Sequence, residues 1–191
     1  MSKPVLENPR WRPQREAAAR NEEKLLQTAR SLLRSPDATT VDMRDIAQAA
    51  GVGVGTLYRR FGDKAGLLAA VIGDDERVLQ EAILQGPPPL GPGAPADERL
   101  AAFIEAMVAL TERNVGALLV TEATPPGRLK VGSYAGWRQH LVLLLRELRS
   151  DLDVRDAGWY ADMLLASVDA QLFAFQRREL KLSQRRIATN A

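Results

Sequence analysis

The stretch "AGVGVGTLYRRFGDK", residues 50–64, admits two readings that lead to different folds. Gly51, Gly53 and Gly55 stand at alternate positions, as in glycine-rich turns that cradle phosphates, yet the same letters fit the turn and second helix of a DNA-reading motif. A dinucleotide fingerprint needs glycine at the sixth place of G-x-G-x-x-G, and counting from Gly51 that place is Thr56. A P-loop needs Gly-Lys followed by Ser or Thr, and the chain contains no such triplet. Both phosphate loops also follow a buried strand. Here the preceding "VDMRDIAQAA", residues 41–50, spaces Met43, Ile46, Ala47 and Ala50 along one face of a helix. The stretch therefore reads as helix, short glycine turn, helix.

Local signals extend this reading in both directions. Asp42 is placed to cap the helix at 43–50, and Gly51 supplies the left-handed residue its C-terminus needs. Val52 is expected to insert between the helices, and the second helix to run from Gly53 to Phe61 with Leu57 and Phe61 facing inward. Upstream, Ala18, Leu25, Ala29, Leu32 and Leu33 predict a first helix over 15–34, stopped by "SPDATT". Downstream, Lys64 to Gln85 reads as one long helix. Residues 1–14 form an expected flexible basic arm, since Pro9 and Pro13 oppose regular structure. Its arginines Arg10 and Arg12, with Arg15, surround Trp11, and either enter a minor groove or attract phosphates without specificity.

Residues 40–72, "TVDMRDIAQAAGVGVGTLYRRFGDKAGLLAAVI", resemble the N-terminal DNA-binding domain of the TetR family of transcriptional regulators, in which A-G-V-x-x-x-x-L/I-Y-x-x-F-x-x-K-x-x-L recurs. Tyr58, Phe61, Lys64 and Leu67 all fall in register. The resemblance implies a helix-turn-helix domain at 15–66 and an effector-binding and dimerisation domain at 67–191. It also implies a homodimeric repressor released from a palindromic operator by a small molecule. On this reading Gly53, Val54, Gly55 and Thr56 approach the base edges, with Val54 and the Thr56 methyl suited to thymine methyls. Tyr58, Arg59, Arg60 and Lys64 become backbone clamps, and Thr39 and Thr40 further phosphate partners. Arg44 matches a position from which family members reach a base; a bidentate guanine contact and a surface pairing with Asp42 or Asp45 are both open. Where the family usually has Ser or Thr this chain has Gly53, so a phosphate-binding hydroxyl is missing.

The rest of the chain continues in helices. "GPPPLGPGAPA", residues 86–96, is a loop because five prolines and three glycines leave no room for regular structure. Helices are predicted at 97–114, 115–123, 131–150 and 154–180, and the absence of strand-like alternation makes the fold all-α. In the third of these, Tyr134, Trp137, Leu141, Leu144, Leu145 and Leu148 share one face while Val142 and Leu143 make the other side apolar, which predicts burial nearly all round. The fourth carries two stripes: Trp159, Met163, Ala166, Ala170 and Phe173, and on a second face Leu165, Val168, Leu172 and Phe175, assigned to the dimer interface. After "KLSQRRIATNA" only a short final helix fits, shorter than the resemblance implies. The resemblance also implies an inducer pocket among these helices. Phe103, Met107, Tyr134, Trp137, His140, Trp159 and Met163 are its candidate liners, suiting a small apolar or aromatic effector; ordinary core is the alternative for each.

Composition bounds the chemistry. Absence of cysteine excludes disulfides, thiolate catalysis and cysteine-ligated zinc. His140 is the single histidine and lacks visible partners for a metal site or nucleophilic dyad, and Asp74 and Asp75 read as a solvated helix face. No cofactor, metal or enzymatic activity is expected. No apolar run approaches the roughly 18 residues that span a bilayer, and "MSKPVLENPRWRPQR" lacks a signal-peptide core, so the expected location is the cytoplasm without a membrane partner. Residues 1–64 hold twelve Lys and Arg against eight Asp and Glu, while the remainder holds fourteen against sixteen, so the front end suits a polyanion. The expected partners are double-stranded operator DNA with inverted half-sites, a second copy of the chain and a small effector. A helix-turn-helix protein that structures DNA or binds partners without an effector stays open as an alternative. An enzyme with a DNA-binding front end finds no catalytic constellation to support it.

Overall fold

A computed structural model describes residues 12–33, 40–122 and 132–191, with side chains over 21–33, 40–121 and 133–191. Among the described residues all regular structure is helical, in nine elements, as the sequence predicts. α1 (Arg12–Leu33) starts three residues earlier than expected. Pro13 lies in its first turn, where a missing N–H sacrifices no helical bond and the fixed φ suits the helix. Arg10 and Trp11 of the expected arm lie outside the described residues, as do the side chains of Arg12 and Arg15.

α2 (Met43–Ala50), α3 (Val54–Phe61) and α4 (Lys64–Gln85) follow within one or two residues of their predicted bounds. They close on α1 around Ala29, Ile46, Leu57, Leu67 and Leu68, all essentially without solvent contact. The corner between α3 and α4 depends on Gly66, because a Cβ there would collide with the Phe61 carbonyl. This first core runs past residue 66 through Val71 and Ile72 and also takes in Ala117.

Ala117 belongs to α5 (Ala96–Glu122), one continuous helix where two were expected, at 97–114 and 115–123. An interior glycine such as Gly116 costs about 1 kcal/mol, which does not end a helix whose next residues pack: Ala117 is buried, with Leu118 and Val120 against the same core. The other half of α5 supplies Phe103, Met107, Val108 and Leu110 to a second core. One helix thus serves both cores.

α6 (Gly132–Leu148) buries Trp137, Leu141, Val142 and Leu144 against α5 and α7 (Val154–Ser167). It is not buried nearly all round, since Leu143 and Leu148 face solvent. The helix expected over 154–180 is broken into α7 and α8 (Ala170–Arg178). The break has a local cause: the Asp169 carboxylate accepts the N–H groups of Gln171 and Leu172 at 2.8 and 3.3 Å and so starts a new helix. The Val168 carbonyl accepts the Thr111 hydroxyl of α5 at 3.3 Å. α9 (Gln184–Asn190) is capped by Ser183 and packs Ile187 back against α5.

Candidate nucleic-acid interface

The front end is built from two capping devices. At the start of α2 the Asp42 carboxylate accepts the Arg44 and Asp45 N–H groups at 2.7 and 2.9 Å, and the Asp45 carboxylate accepts the Asp42 N–H at 2.8 Å. The Asp45 and Arg44 backbone bonds hold the Asp42 carboxyl below its ordinary range. With both carboxylates engaged on backbone, the Arg44 side chain is exposed and makes no ion pair among the described residues. At the end of α2, Gly51 adopts φ 69° and ψ 32°, its N–H bonds Gln48 at 3.2 Å, and the Val52 N–H bonds Ala47 at 3.0 Å. This left-handed closure turns the chain directly into α3.

Gly53 caps α3 with no side-chain bond, its φ of −68° being open to any residue. Leu57 anchors the inner face of α3, while Gly53, Val54, Gly55 and Thr56 are all exposed at its N-terminus, where the Thr56 N–H bonds the Gly53 carbonyl at 2.8 Å. Tyr58 and Arg59 are exposed on the same short helix. Lys64, half-buried, opens α4 beside the Asp63 cap, and Thr40 is exposed before α2. Arg60 differs from this set. It pairs with Glu22 of α1 and its guanidinium lies 5.8 Å from the Phe61 ring centroid, so it ties α3 to α1. Thr39 lies outside the described residues. The result is an exposed helix N-terminus flanked by cations, a form that admits both base edges and phosphates.

Among the described residues the expected effector liners lie in different surroundings. Phe103 and Met107 are solid core, and the Tyr134 hydroxyl donates to Asp162 of α7 at 2.9 Å beside Arg138. Trp159 and Met163 project outward from α7, because the helix turns its Ala157, Ala161 and Leu165 face inward. Trp137 and His140 border a cleft that they share with α4. Of the four expected interface residues, Leu165 and Val168 are wholly buried in the chain's own core, while Leu172 and Phe175 are exposed. Asp75 also departs from expectation: its side chain is only 14% exposed and faces Arg30 of α1, so it does not lie on a solvated face.

Residues 25–71 match the family model described as "Bacterial regulatory proteins, tetR family". Across 175 residues, 91% of either chain, the protein is 26% identical to the HTH-type transcriptional regulator SAR0097 of Staphylococcus aureus (strain MRSA252). Together these likenesses support a TetR-family transcriptional regulator. TetR-family transcriptional regulators are DNA-binding proteins, not enzymes. The likeness in fold extends over most of the chain. A crystal structure from Rhodococcus sp., described as a TetR-family regulator, superposes with a TM-score of 0.66 at 18% identity, covering 90% of this chain and 94% of its own. The regulator PfmR of Thermus thermophilus superposes with a TM-score of 0.59 at 21% identity, covering 88% and 90%. Among the described residues no helix is long and apolar enough to cross a membrane.

Proposed function

We propose that this TetR-family protein is a homodimeric, ligand-responsive repressor that leaves a palindromic operator when a small, largely apolar effector binds. The observation that carries the reading is the double membership of α5, which packs Phe103 and Met107 in one core and Ala117 in the other. A helix shared by two cores cannot shift in one without disturbing the other, which is what coupling between an effector site and a DNA site requires.

The DNA contacts are assigned by exposure and charge. Gly53, Val54, Gly55 and Thr56 face the bases, Arg44 reads a guanine, and Tyr58, Arg59, Lys64 and Thr40 hold phosphates. Arg60 is withdrawn from the clamps because Glu22 holds it. The dimer face is reassigned to Trp159, Met163, Leu172 and Phe175, whose exposure on α7 and α8 leaves a broad apolar surface without a partner in the monomer. Two recognition helices about 34 Å apart then meet successive major grooves, and an effector acts by favouring a spacing that does not fit. The working compartment is the cytoplasm, where operator DNA is found.

Selection of bound sequences from a random duplex pool at near-physiological salt tests the reading. An inverted repeat with half-sites about one helical turn apart is expected. Enrichment of nothing beyond generic duplex would overturn it.

A further inference from the structure

α4 and α6 both lie on α5 but leave between them a groove of about 260 Å³. Its polar atoms come from neutral groups: Gln80 on the α4 wall, and Ser133, Gln139 and His140 on the α6 wall. Burial, with the nearby Arg99 charge adding to it, holds the His140 imidazole down to about 4, so this ring too is neutral near pH 7. Its Nε2 is buried and unpartnered, and the ring packs 5.3 Å from Phe103. Among the described residues no Asp, Glu, Lys or Arg lines the groove. Two charged groups act on lining residues without lining it, Arg99 on His140 and Glu76 on Ser133; they are of opposite sign and those two lining residues are two turns apart on α6. Among the described residues the groove therefore offers no net counter-charge to an ion of either sign.

Its rims are apolar. Leu84 on α4 and Leu143 on α6 are 60% and 57% exposed, one on each wall, with Trp137 between them and the core. Gly136 leaves open space, since a Cβ there meets nothing within 4 Å. A charged ligand would lose its hydration here with no partner in return. The volume lies below the roughly 300–1,000 Å³ of pockets for drug-sized ligands, which suits one or two fused rings. Gln80 and Gln139 line the space from opposite walls, and their carboxamides can each give and accept hydrogen bonds.

We propose that the α4–α6 groove binds an uncharged, ring-sized molecule with an amide-like hydrogen-bonding edge, and, resting on the ligand-responsive reading above, that this is where the effector enters. Of the seven liners the sequence suggests, Trp137 and His140 border this groove, while Phe103 and Met107 are buried in the core. A ligand wedged against α4 acts on a helix whose other half carries Leu67, Leu68 and Val71 of the DNA-binding core. No separate relay is needed.

The test titrates the full chain with three probes sharing one ring: indole-3-carboxamide, indole-3-carboxylate and tryptamine, followed by ¹H–¹⁵N NMR. The carboxamide is expected to bind saturably, roughly tenfold or more tighter than either ion, with shifts centred on Gly136, Gln139 and Gln80. Gly136→Met fills the open space and abolishes that binding while Tm stays at or above the parent value, because glycine is the poorer helix former. Gln139→Ala, at an exposed position, weakens the carboxamide several-fold and supplies a second variant. Tighter binding of an ion, carboxamide binding that survives Gly136→Met, or no saturable carboxamide binding up to its solubility limit would each overturn the proposal. Release of a labelled operator duplex is read separately by anisotropy. A carboxamide that fills the groove without releasing operator supports the site and overturns the ligand-responsive reading instead.

Discussion

Arg30 of α1 and Asp75 of α4 stand 3.1 Å apart, and the second oxygen of the same carboxylate accepts the Asn114 amide of α5 at 2.7 Å. One side chain thus joins the DNA-binding core to the helix that runs through both cores. Arg30 also reaches Asp74 at 3.5 Å and donates to the Val71 carbonyl at 3.3 Å. Removing Asp75 leaves a mostly buried guanidinium and a buried amide short of an acceptor, which costs more than the loss of an exposed pair. Asp75→Ala is expected to destabilise the chain by about 1–3 kcal/mol in urea unfolding. Arg77→Ala, whose partners Asp74 and Glu81 are solvent-exposed, should change stability by less than about 0.5 kcal/mol. Equal effects would mean that the three-helix junction contributes no more than a surface pair.

The two exposed glycines at the start of α3 separate folding from the proposed reading of DNA. Gly55 is helical and a Cβ there meets nothing within 4 Å, so Gly55→Ala should stabilise the fold by up to about 0.5–1 kcal/mol. The same methyl stands where the backbone is to approach DNA, so operator affinity should fall. Gly53→Ser works in the other direction. It adds a cap worth a few tenths of a kcal/mol and a hydroxyl toward phosphate, and should tighten operator binding. Paired melting and anisotropy measurements check both; a Gly55→Ala protein that binds operator as well as the parent would remove Gly55 from the interface.

Arg44, Tyr58 and Lys64 are distinguished by what their loss does to specificity. Arg44→Ala should relax base preference at one operator position, at a cost of about 1–3 kcal/mol. Tyr58→Ala and Lys64→Ala should weaken all duplexes alike, the lysine variant also lowering the salt slope by about one. Arg60→Ala, held by Glu22, should affect the melting temperature more than the operator. Binding-site selection repeated on each variant gives the answer, and a uniform loss of preference in all of them would sink the division of roles.

On α7 and α8 the outward residues should control assembly and the inward ones stability. Trp159 is 57% and Phe175 50% exposed, so a Trp159→Lys, Phe175→Lys double variant is expected to sediment as a folded monomer. Leu165→Ala instead opens a cavity in the chain's own core and should cost about 2–5 kcal/mol. A double variant that stays dimeric would locate the interface elsewhere.

The helix-turn-helix was legible because its determinants are local: the Asp42 cap, Gly51 in the left-handed region and Leu57 turned inward are each fixed by residues within a turn or two. The second half was less legible because its decisive terms are long-range. Two helices were expected at 97–114 and 115–123, but contacts between Ala117 and residues far along the chain carry α5 through as one. Asp169, which starts α8, was passed over because apolar stripes continue across it. Which of the two stripes on α7 is core depends on where α5 and α6 lie, and periodicity alone gives no sign of that; Leu165 and Trp159 were therefore interchanged. Gln80 and Gln139, polar and far apart in sequence, gave no signal of sharing a groove.

His140 offers a test by pH alone. In the folded chain its imidazole is held down to about 4, first by burial and then by the charge of Arg99, against an ordinary value of 6.5. Between these values the unfolded chain binds a proton that the folded chain refuses, so stability falls as pH falls through this window. Above 6.5 the group is neutral in both states and contributes nothing to the slope. The limiting slope for one such group is about 1.4 kcal/mol per pH unit, and partial exposure of the ring makes the observed value smaller. Carboxylates such as Asp151, held to about 2 by Arg149, act mainly below the window. His140→Gln should therefore lose less Tm than the parent between pH 6.5 and pH 4, while the two proteins respond alike from pH 7 to pH 8. Superimposable profiles across the acid range would show that the ring is already solvated in the folded chain.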